Sequence, residues 1–432
     1  MHAAKPSRER TTRSRMPEEK ESNANESRRA TAALVAVAIA VNMIAHLHRA
    51  STAVVTPEIM AEFSFAPAYM ALVVSSYFIA ATLSQIPSGV AFDRFGLTTT
   101  IPVLLVVGAL GAMAFAFATT GPTMMVGRVL SGVGCGTMIM ASLVVCAQVA
   151  PPARFPVYVG FVLAMGQIGN ILATTPFAIV SSAIGWRGAF LGLGLATALL
   201  AIVYYFAARG IAARPTRDGE TLARSLMGAA TIVADRRLWP IFAMAFVGYS
   251  TIFVIMGLWG GVYLDALGFT LVERGNGLMA LAVGFAIGIY VMGRVDRLVG
   301  SAKGAAMIGV GSALVCLLVL AALERPGPAA IAILFGLLGT AGGFAGNIIT
   351  HGRQFYRSHE IGRGVTVMNT LVLAGATVSQ LWTGALVGGL FTVFPEDPVP
   401  VFRILFVALA LWLAAGLAIY RSAAPRPEDG AQ

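Results

Sequence analysis

Gln85-Ile86-Pro87-Ser88-Gly89-Val90-Ala91-Phe92-Asp93-Arg94-Phe95-Gly96 is the stretch that decides the fold of this chain. It begins as the end of an apolar run, 70–90, and stops in a charged turn closed by glycine. A bilayer core of about 30 Å takes roughly 20 apolar residues of helix, so run 70–90 is long enough to cross. The same punctuation returns in the second half of the chain, where Asp296-Arg297-Leu298-Val299-Gly300 closes run 277–295. Working outward from these two stretches, further apolar runs read as 32–52, 100–118, 126–145, 157–180 and 189–208 in the first half. The second half adds 241–263, 305–322, 329–349, 365–391 and 401–420. The total is twelve. None alternates in the short period of a transmembrane barrel strand. In lipid every backbone group must be paired within its own segment, so the runs are helices.

Composition agrees. Of 432 residues, 57% are hydrophobic and 12% charged, whereas a soluble domain carries about 25% charged residues. The basic residues divide unevenly. With the N-terminus placed in the cytoplasm, 24 Lys and Arg fall in cytoplasmic segments. Only Arg187, Arg274, Arg325 and Arg403 fall on the other side, and Arg49 and Arg128 lie within helices. Such a bias orients a membrane protein and accounts for the formal charge of +10 without any nucleic-acid surface. Both termini are therefore expected in the cytoplasm, and the Arg-rich, Lys-poor, Ala- and Gly-heavy composition points to a bacterial inner membrane or one derived from it.

The organisation reads as a disordered cytoplasmic tail (1–29), a six-helix bundle (30–208), a cytoplasmic linker (209–240), a second six-helix bundle (241–421) and a short tail (422–432). The first tail is too long and too acidic for a signal-peptide n-region, and Met16 is a second candidate start. Cys135, Cys146 and Cys316 fall within helices and read as small core residues rather than a disulfide framework. Gly132, Gly134 and Gly136 in the fourth run answer Gly339, Gly342 and Gly346 in the tenth, spacings that let helices approach closely.

The motif Gln85-Ile-Pro87-Ser-Gly89 with Asp93-Arg94-Phe-Gly96 resembles the loop motif between helices two and three of the major facilitator superfamily. Leu97-Thr98-Thr99 replaces that family's second basic cluster. The resemblance covers the whole hydrophobic chain. It implies an all-α membrane protein with twelve transmembrane helices in two pseudo-symmetric six-helix bundles. It also implies that Gly89, Asp93, Arg94 and Gly96 belong to a cytoplasmic gate, with Arg363 a partner for Asp93. Arg128, followed by Gly132, resembles the family's helix-four motif.

The most informative chemistry lies in the first run. Charges within a span are costly and usually functional. Asn42, His46 and Arg49 stand at i, i+4 and i+7, so they share one helical face, whereas His48 points elsewhere. A guanidinium grips an anion through two parallel hydrogen bonds, and a neighbouring imidazole adds proton sensitivity. Alternatively, Arg49 could reach the outer surface along its aliphatic stem. Arg49-Ala-Ser-Thr-Ala-Val-Val-Thr followed by Pro57 is similar to helix one of the organic-anion and organophosphate branches, which implies a substrate-binding arginine. Those phosphate carriers add an arginine in helix seven; here Tyr249, Trp259 and Tyr263 stand instead, which favours a carboxylate or another singly charged anion.

The expected activity is secondary transport of a small organic or inorganic anion by alternating access, coupled to protons or an exchanged ion. Arg49, His46, Asn42, Tyr249, Trp259 and Asn347 are the expected lining. Two alternatives stay open. A carrier of iron or a metal complex could use the histidines, Glu58 and some of the 18 methionines. A drug/proton antiporter would show a Gly-Pro motif in helix five, but Gly166-Gln167-Ile-Gly169-Asn170 reaches its proline only at Pro176. No phosphate loop, HExxH, CxxC or Ser-His-Asp spacing points to an enzyme, a metal centre or a cofactor. The expected partners are a small-molecule or ion substrate and the bilayer, with the chain acting as a monomer.

Overall fold

The computed structural model describes residues 15–149, 154–209, 222–357 and 361–424. Its helices are α1 (Arg15–Ala50), α2 (Thr52–Phe63), α3 (Pro67–Phe95), α4 (Leu97–Ala116), α5 (Gly121–Cys135), α6 (Met138–Val149), α7 (Phe155–Leu172) and α8 (Thr175–Ala208). After α9 (Leu222–Ala234) come α10 (Trp239–Val254), α11 (Gly260–Ala266), α12 (Leu271–Val299), α13 (Ala302–Ala322), α14 (Pro328–Gly342), α15 (Phe344–Arg353), α16 (Ile361–Val393) and α17 (Val399–Arg421).

Eleven stretches among the described residues are long and apolar enough to span a membrane. One of them, Val157–Ala208, has 52 residues, which at 1.5 Å per residue is about 78 Å of helix and far exceeds a single crossing. Gly185 divides it: at φ 74° it holds a conformation that favours glycine. Trp186 and Arg187 just beyond it meet Glu62 at the end of the first span. The chain thus makes twelve membrane helices in two halves of six.

The two halves repeat each other in detail. Gly96 (φ 74°) closes α3 by donating its N–H to the Phe92 carbonyl at 3.0 Å, and Gly300 (φ 68°) closes α12 by donating to the Asp296 carbonyl at 2.8 Å. Both ends carry an Asp-Arg pair. Spans one, four, seven and ten are each interrupted inside the membrane. The breaks fall between α1 and α2, between α5 and α6, at a π-helical turn over Ile255–Trp259, and between α14 and α15. A break in every third span matches three-helix units nested within each half. Within the halves, α4 meets α5 and α12 meets α14 backbone to backbone. A Cβ on Gly134 would lie 2.2 Å from the Gly108 nitrogen, and one on Gly339 would lie 2.2 Å from the Leu281 carbonyl.

The face opposite the Lys- and Arg-rich loops is sealed between the halves. Arg274 of α12 pairs with Glu58 of α2 and, at 3.1 Å, with Asp265. The Thr175 hydroxyl donates to the Asn276 side-chain oxygen at 2.8 Å. Pro57 cannot supply the N–H that the Ala53 carbonyl would accept within the helix. That carbonyl faces Gly261 so closely that a Cβ there would lie 1.9 Å from it.

Three expectations need correction. The first span runs to Phe63 rather than ending near residue 52, because the chain resumes its helix at Thr52 after the break. Residues 15–29 continue α1 instead of forming a disordered tail; their Glu, Lys, Arg and Ala are good helix formers, and elongating an existing helix avoids nucleation. Gly346 makes no close approach, since nothing lies within 4 Å of a Cβ placed there, unlike Gly132 in the fourth span. Tail residues 1–14, linker residues 210–221 and residues 425–432 lie outside the described residues. The three cysteines are free and buried.

Candidate functional site

The break at Ser51 sets the site. Helix α1 ends just before it, and Arg128 of α5 donates to the His48 carbonyl there at 3.0 Å while lying over the Tyr77 ring at 4.7 Å. His48 turns toward span six and meets the Thr197 hydroxyl at 2.9 Å. That hydroxyl donates to the Leu193 carbonyl, so His48 is the donor to it. His46 and Arg49 face the other way, into the first half's junction with span five, as their spacing predicts.

Arg49 is 7% exposed and does not reach a surface. It sits mid-span in Thr31–Phe63. Its guanidinium lies 4.3 Å over the ring of Phe253, which belongs to the second half. Phe253 packs edge-on against Tyr249 with ring centroids 4.3 Å apart. A cation over an aromatic face gains about 0.5–2 kcal/mol, far less than a carboxylate partner would supply in this setting. Among the described residues its polar contact is a single long one, 3.5 Å from Nη2 to the Asn170 side-chain oxygen. Among the described residues no carboxylate pairs with it; Glu58 and Glu62 are engaged with Arg274 and Arg187 at the sealed face.

From Asn170 the hydrogen bonds run in one direction. Asn170 Nδ2 donates to Gln167 Oε1 at 2.8 Å, and Gln167 Nε2 lies 3.5 Å from His46 Nε2. His46 Nδ1 lies 2.9 Å from the Asn42 carbonyl, which can only accept. His46 therefore carries its proton on Nδ1 and accepts at Nε2. Arg49, Asn170, Gln167 and His46 form one relay, each donating to the next.

The other expected lining residues are placed differently. Asn42 is fully buried and donates to the Val162 carbonyl at 2.9 Å, tying span one to span five rather than facing Arg49. Tyr249 joins the site through Phe253. Trp259 donates to the Thr383 hydroxyl at 2.8 Å, further along span seven. Asn347 donates to the Met292 carbonyl at 3.3 Å and is not among the groups that hold Arg49. Sequence reasoning passed over Gln167, Asn170 and Phe253. The first two stand at i, i+3, a signal that was available; Phe253 looked like any other apolar residue of its span.

At the end of α3 on the basic side, Asp93 is half-buried and Arg94 exposed, its guanidinium 5.4 Å from the Phe95 ring centre. Gly89 faces open space, and Gly96 makes the turn. Arg363 is exposed at the start of α16 and runs beside α9, 3.1 Å from where a Cβ on Gly228 would sit.

A model of the Major Facilitator Superfamily matches residues 38–380. Among curated relatives, the MFS-type transporter TOXA of Cochliobolus carbonum is 27% identical over 36% of this chain and 28% of its own. The putative multidrug resistance protein MdtD of Citrobacter koseri is 25% identical over 31% of this chain and 29% of its own. The hexuronate transporter of Bacillus subtilis is 24% identical over 38% of this chain and 39% of its own. The matches thus span well under half the length of each relative. Among solved structures, a bacterial homologue of the human lysosomal transporter Spinster, inward-facing and unoccupied, superposes with a TM-score of 0.76. It is 15% identical over 91% of this chain and 97% of its own. The repeated halves, the Asp-Arg turns and a family match over most of the chain agree: this integral membrane protein belongs to the Major Facilitator Superfamily of transporters.

Proposed function

We propose that this chain carries a small organic or inorganic anion across the bacterial inner membrane by alternating access, with Arg49 as the anion ligand. The observation behind this reading is a guanidinium buried at the meeting of the two halves with no carboxylate partner among the described residues. A buried charge without a counter-charge is costly, and an anionic substrate supplies one at each cycle. The hexuronate transporter among its relatives, named for a carboxylate substrate, supports the same class. His46, Tyr249 and Trp259 complete the lining, with Asn42 and Asn347 holding the helices that carry it. In this reading both termini are cytoplasmic and the working unit is a monomer. The two six-helix bundles rock as bodies, and Asp93 and Arg94 with Gly89, Gly96 and Arg363 form the cytoplasmic gate, while Arg128 braces the helix-one break.

The relay gives a route for proton coupling. Protonating His46 at Nε2 turns an acceptor into a donor, so Gln167 must present its oxygen instead of its nitrogen. Gln167 then loses its acceptor toward Asn170, Asn170 turns in response, and Arg49 gives up its one side-chain acceptor. A proton on His46 thereby frees the guanidinium for an anion.

Transport by reconstituted protein tests the reading. Arg49→Ala is expected to abolish uptake of carboxylates while the protein still folds. Arg49→Lys should transport at least tenfold more slowly, since a point charge cannot copy the planar two-bond grip. Undiminished carboxylate transport by Arg49→Ala would overturn the anion reading. The drug/proton antiporter alternative, which the multidrug-resistance relative MdtD favours, would then lead.

A further inference from the structure

Span eleven carries a polar stripe against span seven, and almost all of it is satisfied. The Ser379 hydroxyl donates to Ser250 at 2.9 Å, and Ser250 donates to the Val247 carbonyl. Thr383 donates to the Ser379 carbonyl at 2.6 Å and accepts from Trp259. Gln380, in the same stripe, is the exception. It is fully buried, and neither Oε1 nor Nε2 has a hydrogen-bond partner. Among the described residues no other buried amide side chain is left with both ends unmet. A buried amide with neither end paired costs several times what an ordinary hydrogen bond contributes, so it calls for an explanation.

What faces the amide is informative. Gly257 lies at the centre of the π-helical turn and is buried. A Cβ built on it would meet only one atom within 4 Å, the Gln380 Nε2 at 3.7 Å. Bare backbone on one side and an unpaired amide on the other thus face each other with room for a methyl-sized group between them. Gly257 follows Phe253 by four residues, about 6 Å along the span at 1.5 Å per residue. Phe253 is the ring on which Arg49 lies.

We propose that Gln380 and Gly257 form a second substrate subsite, which reads a hydroxyl or carbonyl group lying about one helical turn from the anion held by Arg49. The substrate class is then a small polyhydroxy or otherwise hydrogen-bonding carboxylate, rather than a simple fatty acid or an inorganic anion. Gln380 offers both a donor and an acceptor, which suits a hydroxyl group and does not discriminate its orientation. The inference rests on the Arg49 reading for the position of the carboxylate, but the amide's own requirement for a polar partner does not.

Binding to the purified full-length chain, followed by thermal stabilisation, tests it with three probes: gluconate, hexanoate and glucose. Wild type should bind gluconate at least tenfold more tightly than hexanoate. Gln380→Leu keeps the side-chain volume and removes the amide. Gly257→Ala leaves Gln380 in place and fills the space before it, at ordinary contact distance. Each should bring gluconate down to the affinity of hexanoate and leave hexanoate unchanged. Failure of wild type to prefer gluconate, an advantage that survives both substitutions, or an equal loss for both probes would overturn the subsite. Arg49→Ala separates the two claims. If it spares gluconate and glucose binds equally well, while Gln380→Leu weakens both, the anion reading fails and the Gln380 subsite stands.

Discussion

Arg49 and Arg128 are both buried guanidiniums of the first half, and their surroundings assign them different work. Arg128 donates to a backbone carbonyl at the helix-one break, so its loss strands the His48 oxygen in the bilayer. Arg128→Ala should therefore cost about 1–3 kcal/mol of stability, read as a lower melting temperature in detergent. Arg49→Ala should leave melting nearly unchanged, because it removes only one long hydrogen bond and a ring contact. Equal destabilisation by the two would place Arg49 among the structural residues. His46→Gln keeps the volume and a hydrogen-bonding group but cannot titrate, so uptake should lose the pH dependence that the wild-type protein shows. If the wild-type pH profile persists in His46→Gln, the proton enters elsewhere. The sequence made Arg49 and His46 visible because both lie on one helix at a spacing that fixes their shared face. It could not show that Asn42 spends its amide on the Val162 carbonyl. Nor could it show that Phe253 is the ring beneath Arg49 or that neither end of the buried Gln380 amide has a partner. Those facts depend on how separate spans rotate against one another, which local periodicity does not encode.

Among the elements, two kinds of glycine contact predict opposite failures. Gly134 meets Gly108 between α5 and α4, inside one half, where packing is the same in every state of the cycle. A side chain there must push the helices apart, and small residues at such crossings carry much of membrane helix association. Gly134→Val should therefore reduce folded yield severely. Gly261 meets the Ala53 carbonyl between α11 and α2, across the two halves and only on the sealed face. A side chain there obstructs closure but not folding. Gly261→Val should express and melt as wild type, lose transport by more than tenfold, and expose the sealed face to thiol reagents. Loss of folded protein in Gly261→Val would mean that the contact is structural. The helix count and the Asp-Arg turns could be read from apolar run length and charge alone. The interruptions in spans one, seven and ten could not, because each keeps its hydrophobicity while the backbone register changes. For the same reason the first span extends to Phe63, past the point where its charged residues suggested an end.

For the whole molecule, the distribution of charge across the bilayer and the seal between the halves can be tested together. With 24 basic residues on one side and four on the other, a cysteine placed in 209–240 should react only with reagents that enter the cytoplasm; labelling from outside would invert the protein. In that orientation Glu58, Asp265 and Arg274 would lie on the outer face, where Glu58 and Arg274 join the halves and Asp265 flanks Arg274 from its own half. A pair so placed exists only while the outer side is closed, so its free energy acts wholly on the balance between states. Glu58→Gln and Arg274→Gln each break the Glu58–Arg274 pair that crosses between the halves, whereas the Asp265–Arg274 pair lies within the second half. Opening of the outer face should then rise above wild type by a similar amount in Glu58→Gln and Arg274→Gln, measured as the rate at which an introduced cysteine at Ala53 is alkylated from outside. The exchange Glu58→Arg with Arg274→Glu keeps opposite charges in contact and should recover part of the closed population. It also sets the introduced carboxylate against that of Asp265, so recovery stops short of wild type. Asp93→Asn, at the basic face, should shift the balance in the contrary direction if Asp93 latches the cytoplasmic side, slowing alkylation at Ala53. Alkylation rates that do not respond to Glu58 or Arg274 would show that the seal rests on the backbone contact of Ala53 with Gly261 alone, leaving the ion pair as an ornament of the closed state.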